Sequence, residues 1–246
     1  MKDNFFSPIA KEYARFRPSY PKALYAYLAS IAPGKALAWD CATGSGQCAS
    51  DLVHHFGHVI ATDISDELLS HAVPHERITY RNADALNSGI ETASIDLVTV
   101  ANAMHWFHGE VFEREVRRVL RPQGVIAAWS FAFANITPAV DHLTRKVHNE
   151  IVDPFWIEPN RIVEFGYRDL RFGFTEIAPP PFEMISHFDL PQLEGYMRTW
   201  SASVKYQRHH GIDPVGLVHD ELLSAWGDPS LVRDVHWQLN LRVGRV

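Results

Sequence analysis

Between residues 36 and 130 the chain alternates short apolar runs with amphipathic helical patterns, and this alternation constrains the fold more than any single motif. Runs at 36–40, 58–62, 77–81, 95–101 and 125–130 read as strands. Helical periodicity occupies 20–31, 47–56, the stretch behind the N-cap candidate Ser65, and 109–120. Strands separated by helices pair in parallel, since the helix carries the chain back to the edge from which the previous strand started. The run at 95–101, led by Asp96, is nearly continuously apolar, as a central strand covered on both faces requires. After residue 130 the pattern loosens into a helix at 140–151, a strand at 182–188 behind three prolines, and helices at 192–206 and 214–225. An alternating last strand at 235–243 suits an antiparallel partner. With 246 residues, 46% of them hydrophobic, the chain can bury one full core. The expected fold is α/β, a doubly wound and mainly parallel sheet with an antiparallel last strand.

The first strand carries chemistry at its end. It reads ALAWDCATGSGQ, where Asp40 closes the strand and Gly44-Ser45-Gly46 turns the chain into a helix. A glycine turn between a strand and a helix N-terminus lets backbone approach a nucleotide-type cofactor closely. With Ala49 the segment also satisfies the dinucleotide pattern G-x-G-x-x-A, so the glycines alone leave a nicotinamide-dependent oxidoreductase open. Asp63 ends the second strand seventeen residues after Gly46, where a carboxylate can take two charge-assisted bonds from a ribose diol. Asp84 follows the third strand in RNADAL, and its acceptor can meet an adenine amine while Ala83 and Ala85 leave room for the ring. Together the two acids describe an adenosine site.

Taken in order, ALAWDCATGSGQ, IATDIS, NADAL, SIDLVTVANAMHWF and LRPQGVIAAW resemble the class I S-adenosylmethionine-dependent methyltransferases (methyltransferase type 11). The likeness is to the small-molecule branch that includes the trans-aconitate methyltransferase-like proteins. It implies a seven-stranded Rossmann-like sheet with a helical cap insertion, in a single methyltransferase domain over 1–246. Within it, 1–35 form an N-terminal lid and helix, 36–130 the cofactor-binding core, 131–181 the cap, and 182–246 the strands and helices that complete the sheet. It implies S-adenosylmethionine as cofactor, S-adenosylhomocysteine as product, and a small-molecule acceptor. The residues it assigns to the cofactor are Asp40, Ala42, Gly44, Gly46, Gln47, Asp63, Ile64, Asp84, Ala85 and Asn102, with Tyr13 and Arg17 closing over it from FSPIAKEYARFRPSYP. His105 and Asn102 fall on the catalytic side, and His105, Trp106 and Arg17 on the acceptor pocket. Asp40 separates this reading from a dehydrogenase: a carboxylate beside the glycine turn repels a pyrophosphate and attracts the ammonium of a methionine tail. One departure is Ala42-Thr43, where many members have Cys-Gly or Gly-Thr; the two glycines that follow are intact.

Composition narrows the partners. A net charge of −6 and the lack of any Lys/Arg run argue against nucleic acid. No apolar run has membrane-spanning length and the N-terminus has no signal core, so the expectation is a cytoplasmic protein with no membrane partner. Cys41 and Cys48 flank the turn as small packing residues of a reducing compartment, and no histidine spacing suggests a metal. Oligomeric state has no signal in the sequence. An activated methyl group needs alignment and water exclusion, and orientation of that kind contributes roughly 7–11 kcal/mol without a dedicated nucleophile. A carboxylate acceptor needs no base. For a hydroxyl or amine, His105 is the first candidate base, with the near-neutral titration of an ordinary imidazole, and His108 the second. A non-catalytic adenosine-binding module would keep Asp63 and Asp84 as well.

Overall fold

The computed structural model describes residues 15–246, so Tyr13 lies outside the described residues. Helix α1 (Lys22–Ile31) precedes β1 (Leu37–Cys41). Then come α2 (Gln47–Leu52), β2 (His58–Asp63), α3 (Asp66–Ser70), β3 (Ile78–Asn82), β4 (Ile95–Ala101), α4 (Glu110–Val119) and β5 (Leu120–Asn135). β1 pairs in parallel with β2 and β4, β2 with β3, and β4 with β5. The resulting order β3-β2-β1-β4-β5 reverses direction between β1 and β4, where open α/β sheets leave a crevice at the carboxyl ends of the strands.

Local chemistry accounts for these elements. Ser65 caps α3 by accepting the Leu68 N–H at 3.2 Å, and Asp66 and Glu67 favour the positive end of that helix. In α4 the buried Phe112, Val116 and Val119 form one stripe against the sheet core, which includes Trp39, Val98, Val100 and Ile126. Asp96, the acid at the head of β4, is fully buried. It accepts the N–H groups of Ala36 and Leu37 at 2.8 and 3.0 Å and pairs with Arg121 at 3.0 Å, tying the start of β1 to the start of β4.

The second half consists of α5 (Pro138–Lys146), which continues into a π-helical turn at Val147–Ile151, then α6 (Glu158–Glu164), β6 (Thr175–Ile177) and β7 (Glu183–Phe188). Helices α7 (Leu190–Arg198), α8 (Ser201–His210) and α9 (His219–Trp226) and strand β8 (Arg233–Arg245) complete it. Both β6 and β7 run antiparallel to β8. Among the described residues the sheet therefore has eight strands where seven were expected. The additional one, Thr-Glu-Ile at β6, is too short and polar to show alternation and exists through its pairing with β8. The helix expected at 192–206 is two helices, because the Thr199 hydroxyl turns back to the Tyr196 carbonyl and Trp200 adopts an extended backbone.

The chain divides into two compact units. Of the described residues, one unit takes 15–19, 133–161 and 183–238, with β7 and the first half of β8. The other takes 20–132, 162–182 and 239–246, with β1 to β4, β6 and the strand-end loops. No helix among the described residues is long and apolar enough to cross a membrane.

Candidate active site

The glycine turn is shaped by backbone that only certain residues tolerate. Ala42, Gly44 and Gly46 hold φ of +56°, +58° and +80°. Ala42 occupies a left-handed conformation that costs an L-residue about 1–2 kcal/mol. A Cβ on Gly44 would meet nothing within 4 Å, whereas one on Gly46 would run into the Tyr80 hydroxyl and ring. The turn is held to β2 by the Thr43 N–H on the Thr62 carbonyl at 2.9 Å and by the Gly44 N–H on Asp63 Oδ2 at 2.9 Å.

Asp63 thus braces the turn as well as ending β2. Its second oxygen, Oδ1, accepts the Ser65 N–H at 2.9 Å. Each carboxylate oxygen has two acceptor positions, so the Gly44 and Ser65 amides take one on each and do not saturate the carboxylate. Burial raises the Asp63 carboxyl above its usual range, against the opposing pull of the Ser65, Gly44 and Ile64 amides. Beside it Ile64 is 55% exposed, an apolar surface left open at the strand end.

Asp40 has a more interior position than the sequence suggested. It is fully buried, with Oδ2 accepting from the Thr43 hydroxyl and Oδ1 from the Thr99 hydroxyl at 2.8 Å. Burial raises its pKa, and hydrogen bonds from Thr43, Thr99, Cys48 and the Ala49 amide oppose that rise. No cation among the described residues pairs with it. Gln47 opens α2 behind the turn. The free thiols of Cys41 and Cys48 are buried, and that burial pushes both well up.

At the next two strand ends, Asp84 is exposed, with Oδ1 accepting the Leu86 N–H at 2.9 Å, and Ala85 is buried beside it. Asn102, after β4, is left-handed at φ +53°, and its side-chain oxygen is buried with no hydrogen-bond partner among the described residues. His105 is buried, and its Nδ1 lies 3.0 Å from the Tyr167 hydroxyl. Burial first, and neighbouring His108 second, lower its pKa from 6.5 to about 3. The near-neutral titration expected of this histidine is therefore not what the fold provides, because the charged ring would be desolvated. Trp106 is 38% exposed with its ring 4.9 Å from that of His105, while Phe107 packs on Phe112 in the core. Arg17 belongs to the other unit, with its guanidinium 5.6 Å from the centre of the Tyr196 ring.

Three participants escaped the sequence reading. Thr99 had a signal, as the polar residue in the interior of IDLVTVA behind Asp96 at its head, and Thr43 lay within the turn motif itself. Tyr167 had none, since its partner lies 62 positions away. Among the described residues no group of three or more His, Cys, Asp or Glu is placed to hold a metal.

Comparison with known proteins decides between the cofactor classes. A profile of the methyltransferase domain family matches residues 39–128, which contain the whole strand-end arrangement. A solved structure from Anaeromyxobacter dehalogenans, described as a type II methyltransferase, shares 37% identity over 94% of this chain and 98% of its own, with a TM-score of 0.86. The chain belongs to the class I S-adenosylmethionine-dependent methyltransferases. A Dictyostelium discoideum protein named as a methyltransferase is 29% identical over 240 residues, 94% of this methyltransferase and 90% of its own length. A Saccharomyces cerevisiae protein named as an S-adenosylmethionine-dependent methyltransferase is 31% identical over 129 residues, which are 48% of this chain and 44% of the yeast protein. Family membership removes the nicotinamide and non-catalytic readings. The donor set fits the family's cofactor: a buried carboxylate with no cation among the described residues, spare acceptor capacity on Asp63, open space over Gly44, and a buried Asn102 oxygen with no partner among the described residues.

Proposed function

We propose that the carboxyl ends of β1 to β4 hold S-adenosylmethionine and that the methyl acceptor is a small carboxylate. When bound, the cofactor supplies a methyl group already activated on a sulfonium, which a carboxylate oxygen can take without losing a proton. Asp40 contributes negative potential to the ammonium end, because among the described residues its charge has hydroxyl, thiol and amide donors around it and no cation. Gly44 and Gly46 keep the turn low enough for close approach, and Gln47 presents the first amide of α2. Asp63 offers its spare acceptor positions to the ribose, Ile64 its open apolar face to the base, and Asp84 its second carboxyl oxygen to the exocyclic amine above the small Ala85. Asn102 directs its orphaned oxygen to the methionine end. Trp106 walls the acceptor side beside His105.

The observation that carries the acceptor class is the placement of His105, which is buried with its Nδ1 engaged by the Tyr167 hydroxyl at 3.0 Å. A pKa of about 3 leaves a neutral ring with little basicity at physiological pH, a poor group for deprotonating a hydroxyl or an ammonium. A carboxylate arrives ionised and asks only for alignment and exclusion of water. The likeness to the trans-aconitate-like branch points the same way. The test is turnover of methyl-labelled S-adenosylmethionine with a panel of small mono-, di- and tricarboxylic acids beside matched alcohols and amines. Label should appear only with the acids and be released as methanol by mild alkali, as a methyl ester requires; an alkali-stable methylated product would sink the carboxylate assignment.

A further inference from the structure

His105 is met by one side chain from a distant stretch of chain. Tyr167 is fully buried, its hydroxyl 3.0 Å from His105 Nδ1 and its ring 6.0 Å from the imidazole. The backbone that delivers it is unusual, because Gly166 and Tyr167 are both left-handed, at φ +64° and +62°. A bulky side chain in that region is disfavoured and persists only where its surroundings enforce it. They do so from two sides. Arg242 donates through Nη1 to the carbonyls of Tyr167 and Leu170 at 3.0 and 2.6 Å, with its guanidinium 4.5 Å from the centre of the Phe172 ring and Nη2 paired to Glu176 at 2.6 Å. Asn240 fills the space of a Cβ at residue 166, with Cγ 2.5 Å from where that atom would sit, so glycine is required there.

The direction of the bond between the two rings follows from their chemistry. A phenol is a stronger donor than a neutral imidazole N–H, and an sp² ring nitrogen is a better acceptor than a phenolic oxygen. The Tyr167 hydroxyl therefore donates to Nδ1, and the proton of the neutral ring sits on Nε2, which has no hydrogen-bond partner among the described residues.

We propose that Tyr167 is a positioning residue for methyl transfer: it locks His105 in the Nε2–H tautomer, making the imidazole a hydrogen-bond donor to an anionic oxygen of the acceptor instead of the base that deprotonates it. This rests on the carboxylate reading above and deepens it. A carboxylate has a second oxygen to receive that donor, whereas a hydroxyl or amine acceptor would need the lone pair that this tautomer withholds.

Long-range proton–nitrogen correlation spectra of the full chain, with histidines labelled in nitrogen-15, test the assignment. The His105 signals are identified by their loss in His105→Gln. In the wild type, Nδ1 should resonate as an unprotonated, hydrogen-bonded nitrogen and Nε2 as a protonated one; in Tyr167→Phe the two should move toward a tautomeric average. A protonated Nδ1 in the wild type overturns the proposal, and so does an unchanged His105 pattern in the variant. The wild-type spectrum decides by itself if the variant fails to fold. Calorimetric titration with S-adenosylhomocysteine separates this inference from the reading beneath it. Affinities of the two proteins should agree within about twofold, and a loss of about tenfold or more would make Tyr167 a cofactor residue and overturn its acceptor-side role. Failure of the wild type to bind S-adenosylhomocysteine would instead overturn the cofactor reading, and the acceptor role with it.

Discussion

Asp63 braces the glycine turn, and the proposed function gives the same carboxylate the ribose of the cofactor; Asp63→Asn tests both roles. Its oxygens accept the Gly44 and Ser65 N–H groups, each at 2.9 Å. An asparagine has one oxygen and one amino group, so whichever way the amide turns, one of those backbone donors faces another donor. A buried N–H left without an acceptor costs about 1–3 kcal/mol, and converting the surviving bond from charge-assisted to neutral costs about 1 kcal/mol more. Folding stability should therefore fall by about 2–4 kcal/mol, read as a lower urea midpoint. The cofactor loses separately. A ribose diol held by two charge-assisted bonds of about 1.5–3 kcal/mol each retains at best one neutral bond of about 1 kcal/mol, a loss of about 2–5 kcal/mol. At 1.4 kcal/mol per decade, S-adenosylhomocysteine should bind about 30- to 4,000-fold more weakly in a calorimetric titration. If the variant loses stability yet binds within about threefold of wild type, Asp63 only braces the turn and its ribose role is refuted; if neither quantity moves, the hydrogen-bond argument fails as well.

Other perturbations have equally definite outcomes. Gly46→Ala places a Cβ into Tyr80 at φ +80° and should lose more than the roughly 1–2 kcal/mol of left-handed strain, while Gly44→Ala, with open space around it, should lose little beyond that strain but bind S-adenosylhomocysteine more weakly; paired unfolding and binding curves check both. Thr99→Val strips one donor from the buried Asp40 carboxylate and should cost about 1–3 kcal/mol in urea unfolding, with an unchanged midpoint counting against the hydrogen bond. Glu115, hydrogen-bonded by Arg118 and Ser88, has its carboxyl lowered from 4.5 to about 2. A depressed folded pKa adds stability above the unfolded value and loses it as pH falls through the folded one. Glu115→Gln should thus cost about 2–3 kcal/mol at neutral pH, discounted for the partly exposed Arg118, and the gap to wild type should close between about pH 4.5 and 2.

Strand β4 was legible in the sequence to the residue, because a buried parallel strand is a nearly continuous apolar run. The Ser65 cap was legible because capping is decided within one turn of helix. Strand β6 was not: three residues have no period, and their conformation depends on Val243 and its neighbours in β8. The break in the helix expected at 192–206 was hidden for a related reason, since Thr199 is compatible with a helix until its hydroxyl finds the Tyr196 carbonyl. At the site, the glycines and the acids at the strand ends were visible because a turn and the residue that ends a strand are local facts. That Asp63 also ties down the amide of Gly44, 19 positions earlier, was not visible.

The sequence by itself determined the strand order's raw material and the cofactor class, and it marked the glycine turn and the strand-end acids, since periodicity, turns and strand ends are written over a few consecutive positions. Tertiary structure alone decided the ionisation and hydrogen-bonding state of those residues. Asp40 is held by Thr99 from 59 positions away, and His105 loses its basicity and gains a fixed partner through burial and Tyr167, 62 positions away. Desolvation and cross-chain hydrogen bonds depend on what the fold packs around a group, and residue type alone does not carry that information.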